Sequence, residues 1–475
     1  MSTQLHHLTA LELQHQYRSK NLSPVELARH MIDLVALVQR KHNCFLALCP
    51  DQAIAEAKES EKVIMAGGDY PPLTGIPFTV KDLVNTKGVK TTFGALPFKD
   101  NIPTEDALIV KRMRDAGAIL LGKTTTPEFG TAGFTESPLF GKTSNAWDAS
   151  RTSGGSSGGA AVSIACGVGP LAVATDGGGS TRIPAACNGV VGIKQSSGIV
   201  PHSQVVDKFG NQTYVTPMTR TVADTALMLD VISGGDACDP TSIGLIKQHF
   251  LSSLHERKDL KGIKFLYCLV PDSFPIESDV QASFESALIK LSELGAEVEA
   301  FDPSGLNVLD TWHVINHTVW LTRFAALAEK NREQLSDTFL KQLDSAKSYS
   351  AMDYQLAMNA RSQLFERIQL LVKPDTYLVM PTITKTALPI DLDFLGAMQI
   401  AGQNVTNIRA HWYPWTMLFN MTGHPAISIP CGFGLDGLPI GLHVVGQYRK
   451  DADLLQVVQL IESTFSLNHR WPAGI

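Results

Sequence analysis

Two glycine- and serine-rich clusters enclosing a run of small apolar residues set the strongest constraint on this chain. They lie in residues 154–198, which read GGSSGGAAVSIACGVGPLAVATDGGGSTRIPAACNGVVGIKQSSG. Twelve of these positions are Gly, out of 38 in all 475 residues. The first cluster is 154–159 (GGSSGG) and the second is 176–182 (DGGGSTR), with a small, apolar stretch at 160–174 between them. A flexible linker is polar throughout and encloses no such run. The pattern predicts two backbone-rich turns held against a closely packed core.

The rest of the chain is long enough to supply that core. An apolar fraction of 44% and a charged fraction of 18% are those of an ordinary soluble globular enzyme. The net charge of −6 comes with no basic block, which argues against nucleic acid or an anionic membrane as partner. No run reaches the ~18 apolar residues of a membrane span, and the N-terminal MSTQLHHLTALELQHQY has no secretory pattern. The seven cysteines are scattered, with no Cys-x-x-Cys. Reduced thiols in a cytoplasmic protein are expected. A homo-oligomer is compatible with this composition.

Residues 8–65 read as helical, with Ser23 as an N-cap, Pro24 at the first helical position and Glu26 closing a capping box, and with another helix over 51–65 that ends before Gly67 and Gly68. Residues 76–84 (IPFTVKDLV) read as a strand with Ile76, Phe78 and Val80 on one face and Thr79 and Lys81 on the other. A helix at 104–116 and a short strand at 118–121 follow. Further helices are expected at 221–232 and 280–294, through a long helical stretch at 308–372, and at 452–465. Further strands are expected at 262–270, 297–301, 377–382, 426–430 and 440–445. This order gives an α/β fold class with a parallel or mixed sheet packed between helices. No repeat or linker divides the chain.

Residues 117–124 (GAILLGKT) match the phosphate-loop pattern, but that loop needs an open middle and a helix after it. Here the middle is an apolar strand, so the motif is read as helix stop, strand and loop. His313 and His317 have metal-ligand spacing on a helix, yet no Glu stands at the second position, and a structural role is preferred. No metal and no organic cofactor is expected.

The second cluster carries chemistry. Consecutive glycines let the backbone approach a ligand closely, and their N–H groups can converge on one developing oxyanion. Ser180, directly after Gly177, Gly178 and Gly179, stands where a nucleophile is needed. Its base is open at this point: His202, His424, His443 and Lys81 are the candidates. A lysine serves only if its pKa falls, and moving it from ~10.4 to ~7 costs roughly 4.6 kcal/mol, which demands a preformed and partly dry pocket.

These residues resemble the amidase signature family. The resemblance rests on Val80-Lys81-Asp82, on the 154–159 cluster, and on Asp176 through Arg182. It extends to 75–77 (GIP), 145–148 (NAWD), 217–221 (PMTRT), 420–426 (NMTGHPA) and 437–442 (GLPIGL). It implies a single large domain over 1–475 with a central twisted mixed sheet, and a variable, mainly helical segment at about 308–403. It also implies that Ser180 is the nucleophile, Ser156 (after a cis peptide bond) the proton relay, and Lys81 the base. The oxyanion hole would be the N–H groups of Gly177, Gly178, Gly179 and Ser180, with Gly130 as a backbone contact to the substrate. Ser157, Thr175, Asp176 and Arg182 would support the site.

The implied activity is hydrolysis of a small-molecule amide, with aryl or alkyl amides, lactams, oligoamides or carbamates as substrates. Phe129, Phe134, Trp412 and Trp415 are candidate pocket walls. The alternative is the glutaminase component of a tRNA-dependent amidotransferase. Residues 313–325 (HVINHTVWLTRFA) do not resemble the Phe-Asp-Gly-Val-Arg-Tyr-Gly-like segment of such components. Two further departures are Gly177, where the family often has an apolar residue or Thr, and 193–196 (IKQS) in place of Leu-Lys-Pro-Thr.

Overall fold

Eleven strands make one sheet among the described residues of this computed structural model, which are 4–467 and 469–474. In chain order they are β1 (Phe45–Leu48), β2 (Pro77–Lys81), β3 (Ile119–Thr124), β4 (Leu171–Asp176), β5 (Val191–Lys194), β6 (Tyr214–Thr219), β7 (Lys264–Tyr267), β8 (Glu297–Ala300), β9 (Thr376–Pro381), β10 (Ala426–Phe433) and β11 (Pro439–Val445). Across the sheet they run β1-β3-β2-β4-β6-β5-β10-β11-β9-β7-β8. β2 is parallel to β3 and β4, and β7 is parallel to β8 and β9. The other neighbours are antiparallel. The sheet is therefore mixed, as expected.

Every residue of β2, β3, β4, β6 and β11 is buried, so both faces of the sheet centre are covered. The helix Gly158–Ala165 packs on β2, β3 and β4, and Arg182–Asn188 packs on β5, β10 and β11. The edge strand β8 is mostly exposed, and its Glu299 pairs with Lys264 at 2.6 Å. Charge on an edge strand discourages pairing with another chain.

Residues 8–65 are mainly helical, and the separate helix expected at 51–65 is present as Pro50–Ala66, but a strand not expected from the sequence interrupts the region. Helices Ala10–Arg18, Pro24–His42 and Pro50–Ala66 are formed, and β1, which pairs with β3, separates the last two. The breaks have local causes. Asn43 adopts a left-handed conformation (φ 51°) after the second helix, and Pro50 opens the third. Ser23 caps its helix, accepting from Val25 N–H at 3.0 Å. The expected capping box does not form: the Ser23 hydroxyl instead donates to Glu61 at 2.5 Å.

The helix expected at 104–116 begins later, at Leu108, and β3 runs three residues past the strand expected at 118–121. That extension carries Gly122 and Lys123 of the phosphate-loop-like motif inside the strand. A Cβ at Gly122 would lie 2.4 Å from the Ala47 carbonyl of β1, so the glycine serves strand contact. Lys123 is buried, and its Nζ donates to the Thr86 and Thr91 hydroxyls at 2.8 and 2.9 Å.

The close seating of the helix Gly158–Ala165 is testable. A Cβ at Gly159 would fall 2.5 Å from Thr125 N and 2.6 Å from Cys44 O, both rigid backbone atoms. Gly159→Ala should destabilise the fold by about 1–3 kcal/mol through overpacking, read as a lowered midpoint in urea unfolding.

Candidate active site

The parallel pairing of β2 with β4 decides where the chemistry stands. Val80 pairs with Val173, so the C-terminal ends of both strands emerge on the same side. β2 ends on Lys81 and β4 on Asp176. Ligand sites in α/β sheets favour the carboxyl ends of parallel strands. The first Gly/Ser cluster comes to this place because it opens the helix that packs on β2 and β4. Its Gly155–Ser156 peptide bond is cis. A Cβ at Gly155 would sit 2.8 Å from the Gly133 carbonyl carbon and 2.9 Å from the Phe134 backbone, so only Gly lets the two segments pass.

Lys81 is fully buried. Its Nζ lies 2.7 Å from Ser156 Oγ, 2.8 Å from Ser157 Oγ and 2.9 Å from Thr175 Oγ1. Burial drives its pKa well below the usual lysine value, with the nearby Asp176 charge opposing that shift. A neutral amine has two N–H donors and one lone pair. The Ser157 hydroxyl donates to Thr175 O at 3.1 Å, so Ser157 must accept from Lys81. The hydroxyl proton given to the lysine lone pair then comes from Ser156 or Thr175.

Ser180 stands on the turn after β4 and is partly exposed, while Ser156 is buried. The turn is tied to Asp176. Asp176 Oδ1 accepts from Gly179 N–H at 2.7 Å, Arg182 Nη2 at 2.9 Å and Asn420 Nδ2 at 2.9 Å. Its Oδ2 accepts from Thr181 N–H at 3.1 Å and Arg182 Nε at 2.9 Å. Burial alone would raise this carboxyl. The Arg182 charge and the hydrogen bonds overcome that and hold it well below the usual carboxylate range. Arg182 is closed in by Asn420 Oδ1 at 2.7 Å and His443 Nε2 at 3.1 Å.

The Gly179 N–H is thus already committed to Asp176, unlike its expected place among the oxyanion donors. The N–H groups of Gly177, Gly178 and Ser180 meet no protein acceptor among the described residues. Two carbonyls of the turn are held from behind, Gly177 O by Trp312 Nε1 at 3.0 Å and Gly178 O by Thr416 Oγ1 at 2.7 Å. Gly179 has φ +118°, and a Cβ there would meet Thr416 Oγ1 at 2.4 Å. Gly177, Gly178, Ser180, Ser156, Thr175 and Gly130 all line one cavity of about 70 Å³.

This constellation can be compared with known proteins. The amidase family model matches residues 26–455. The chain belongs to the amidase family. It is 35% identical to an acylamidase of Rhodococcus erythropolis, with 99% of this chain and 98% of the relative covered. It is 32% identical to a glutamyl-tRNA(Gln) amidotransferase component of Alkaliphilus metalliredigens, with 98% of each covered. A bacterial aryl acylamidase of the amidase signature enzymes superposes with a TM-score of 0.89 at 29% identity, covering 98% of this chain and 99% of that one.

The structure brings together Lys81, Ser156, Ser157, Thr175, Asp176, Ser180 and Arg182. It does not bring the candidate histidines to Ser180. His443 supports Arg182, His424 is buried beside Thr422, and His202 lines an adjoining cavity but not the one that Ser180 lines. Of the four candidate walls only Phe129 lines a cavity near the serines. Phe134 and Trp412 pack in one core cluster and Trp415 in another, with both indole N–H groups donating to backbone carbonyls. The walls missed from sequence are Trp312, Asn316, Trp320, Arg409 and Tyr413. His313 and His317 stack on each other with ring centroids 4.6 Å apart, and His317 bonds Ser345 at 2.8 Å. The supporting Asn420 had a signal, as a lone amide in the apolar run 417–421 (MLFNM).

Arg182→Met should strip Asp176 of its bidentate partner and leave a buried charge uncompensated. The expected loss is about 3–5 kcal/mol, measured by urea unfolding at neutral pH.

Proposed function

We propose that this chain hydrolyses carboxylic amides with Ser180 as nucleophile, Ser156 as proton relay and Lys81 as base. The observation that carries the reading is the buried Lys81 amine 2.7 Å from Ser156 Oγ, with Ser156 and Ser180 lining one cavity. In this scheme neutral Lys81 takes the Ser156 hydroxyl proton while Ser156 takes that of Ser180. The Ser180 oxygen bonds to the amide carbonyl carbon. The resulting oxyanion is met by N–H groups of Gly177, Gly178 and Ser180. Lys81 then returns its proton through Ser156 to the amide nitrogen, and the C–N bond breaks. The amine departs and the acyl group stays on Ser180. Water repeats the relay, attacks the ester and releases the acid.

The apolar part of the surroundings supports acyl amides over free glutamine as substrate, beside polar walls that include Gln204, Asp207, Gln212 and Arg323. A cavity of about 550 Å³ shares Leu83, Phe129, Thr175, Thr213, Asn316 and Trp320 with the catalytic cavity. Val84, Phe93, Val319 and Phe324 add apolar wall to it. It suits an extended apolar arm that glutamine lacks. No helix among the described residues is long and apolar enough to cross a membrane. A cytoplasmic location, supported by seven scattered free cysteines, and the absence of a nucleic-acid partner, supported by the net charge of −6, are part of this reading.

Ser180→Ala should lower kcat for an acyl anilide on the order of 10⁶-fold, and mass spectrometry should find the acyl adduct on Ser180 in the parent enzyme. Hydrolysis near the parent rate in Ser180→Ala would overturn the scheme. Ammonia release from glutamine only in the presence of partner proteins would favour the amidotransferase reading instead.

The pH dependence has a defined sign. The base works unprotonated, and burial lowers the Lys81 pKa well below its ordinary value. Thus kcat/KM should rise with pH through one deprotonation and reach its plateau below the usual lysine range. The unfolded chain binds this proton more readily than the folded one, so Lys81 makes stability rise with pH between its folded and unfolded pKa values. Lys81→Arg, which cannot deprotonate, should abolish the activity across the same range.

A further inference from the structure

The catalytic cavity holds a cation that this mechanism does not use. Arg409 lines the cavity with Ser156, Gly178 and Ser180, and only 8% of it is exposed. Its Nη2 donates to Thr131 O at 3.2 Å and Gln342 Oε1 at 2.9 Å. Among the described residues, Nε and Nη1 meet no acceptor, and no carboxylate forms an ion pair with it. Its other neighbours are neutral. The guanidinium carbon lies 4.5 Å from the Trp312 ring centroid and 5.3 Å from that of Phe394. Burial lowers the His313 pKa to about 3 and the His317 pKa to about 2, and raises that of the Tyr413 hydroxyl, so these three carry no charge at neutral pH.

A buried guanidinium without a counter-ion is costly, and its planar fork matches a carboxylate bidentately. The open edge borders the cavity shared with the reacting serine. Size divides the substrate. About 70 Å³ beside Ser180 and Arg409 admits only a short polar arm, whereas the adjoining 550 Å³ accepts a long apolar one.

We propose that Arg409 selects amides that carry a carboxylate a few bonds from the scissile C–N bond on one arm, with an apolar chain on the other. This rests on the amide hydrolase reading and names its substrate class. The carboxylate can belong to the amine side, as in an N-acyl amino acid, or to the acyl side, as in a dicarboxylic acid monoamide. Arg409 is a specificity residue here and takes no proton.

The test measures kcat/KM of the whole enzyme on two matched pairs. N-octanoylglycine is set against N-propyloctanamide, and succinic acid mono-octylamide against N-octylbutanamide. The carboxylate member should win in one pair by at least about tenfold, and that pair tells which arm is anionic. In Arg409→Gln the ratio within that pair should fall by about tenfold or more, through KM of the carboxylate member, and Arg409→Lys should restore part of it. Taking the ratio within one preparation cancels any loss of folded enzyme. Turnover of the neutral members with no carboxylate preference in either pair overturns the proposal, as does a preference that survives in Arg409→Gln. If neither the four nor an acyl anilide is hydrolysed, the amide hydrolase reading fails. The Arg409 proposal is then decided by calorimetry with N-octanoylglycine: weaker binding to Arg409→Gln than to the parent supports it, and equal or absent binding overturns it.

Discussion

One buried carboxylate governs the chemistry of this site. Asp176 is the negative group that acts on Lys81, and its field favours the ammonium form that cannot act as a base. The bidentate Arg182 pairing answers that field with an opposite charge six residues along the chain. Burial then dominates at Lys81, and the amine is held toward neutrality. The same carboxylate also takes the Gly179 and Thr181 N–H groups, which shapes the turn that carries Ser180. An ion pair buried this deeply is weak evidence for stability gained. Its stronger consequence is that one group acts on both the Lys81 amine and the turn that carries Ser180.

The sheet makes that economy geometrically available. Because β2 and β4 are parallel neighbours, Lys81 and Asp176 end their strands on one side without a long excursion of either chain. The intervening helix Gly158–Ala165 must lie close on both strands to deliver Ser156 and Ser157. Its glycines allow this, since side chains at Gly158 and Gly159 would collide with Thr135 and Thr125. The small apolar run after Ser157 is what a helix needs to sit that near a sheet. Packing therefore carries the precision that catalysis asks of the hydroxyls around Lys81.

Legibility in the sequence followed the range of each interaction. Val80-Lys81-Asp82 could be placed on a strand because β-branched and aromatic residues precede it, and the two serines could be singled out because glycine is costly unless the backbone requires it. β4 carries no such signal, since a short continuous apolar run has no period by which to tell strand from buried helix. β1 is hidden between two helices for the same reason. The Gly179 N–H, expected among the oxyanion donors, is given to a carboxylate three residues earlier, a hydrogen bond that no spacing rule anticipates. Trp312, Arg409, Thr416 and Asn420 reach the site from far along the chain. Only tertiary packing shows that they converge, and aromatic residues such as Trp412 and Trp415 are equally suited to the wall by residue type.

The distant residues are also where specificity is separable from chemistry. Lys81, Ser156, Ser180 and Asp176 come from the sheet centre and the elements packed on it, which tolerate little change. Trp312, Asn316 and Trp320 stand on the helix Leu309–Asn331, and Arg409 on the short helix Ile408–Trp412. Trp312 belongs to both sets. Its indole N–H holds the Gly177 carbonyl, its ring would be 2.9 Å from a Cβ at Gly178, and its face carries Arg409. One indole therefore contacts both the Gly177–Gly178 turn and the guanidinium. In the amide hydrolase reading proposed above, a substrate arm held by Arg409 would rest beside the ring that steadies this turn. Uniform binding of that arm lowers KM, and only contacts that strengthen as the carbonyl reacts raise kcat.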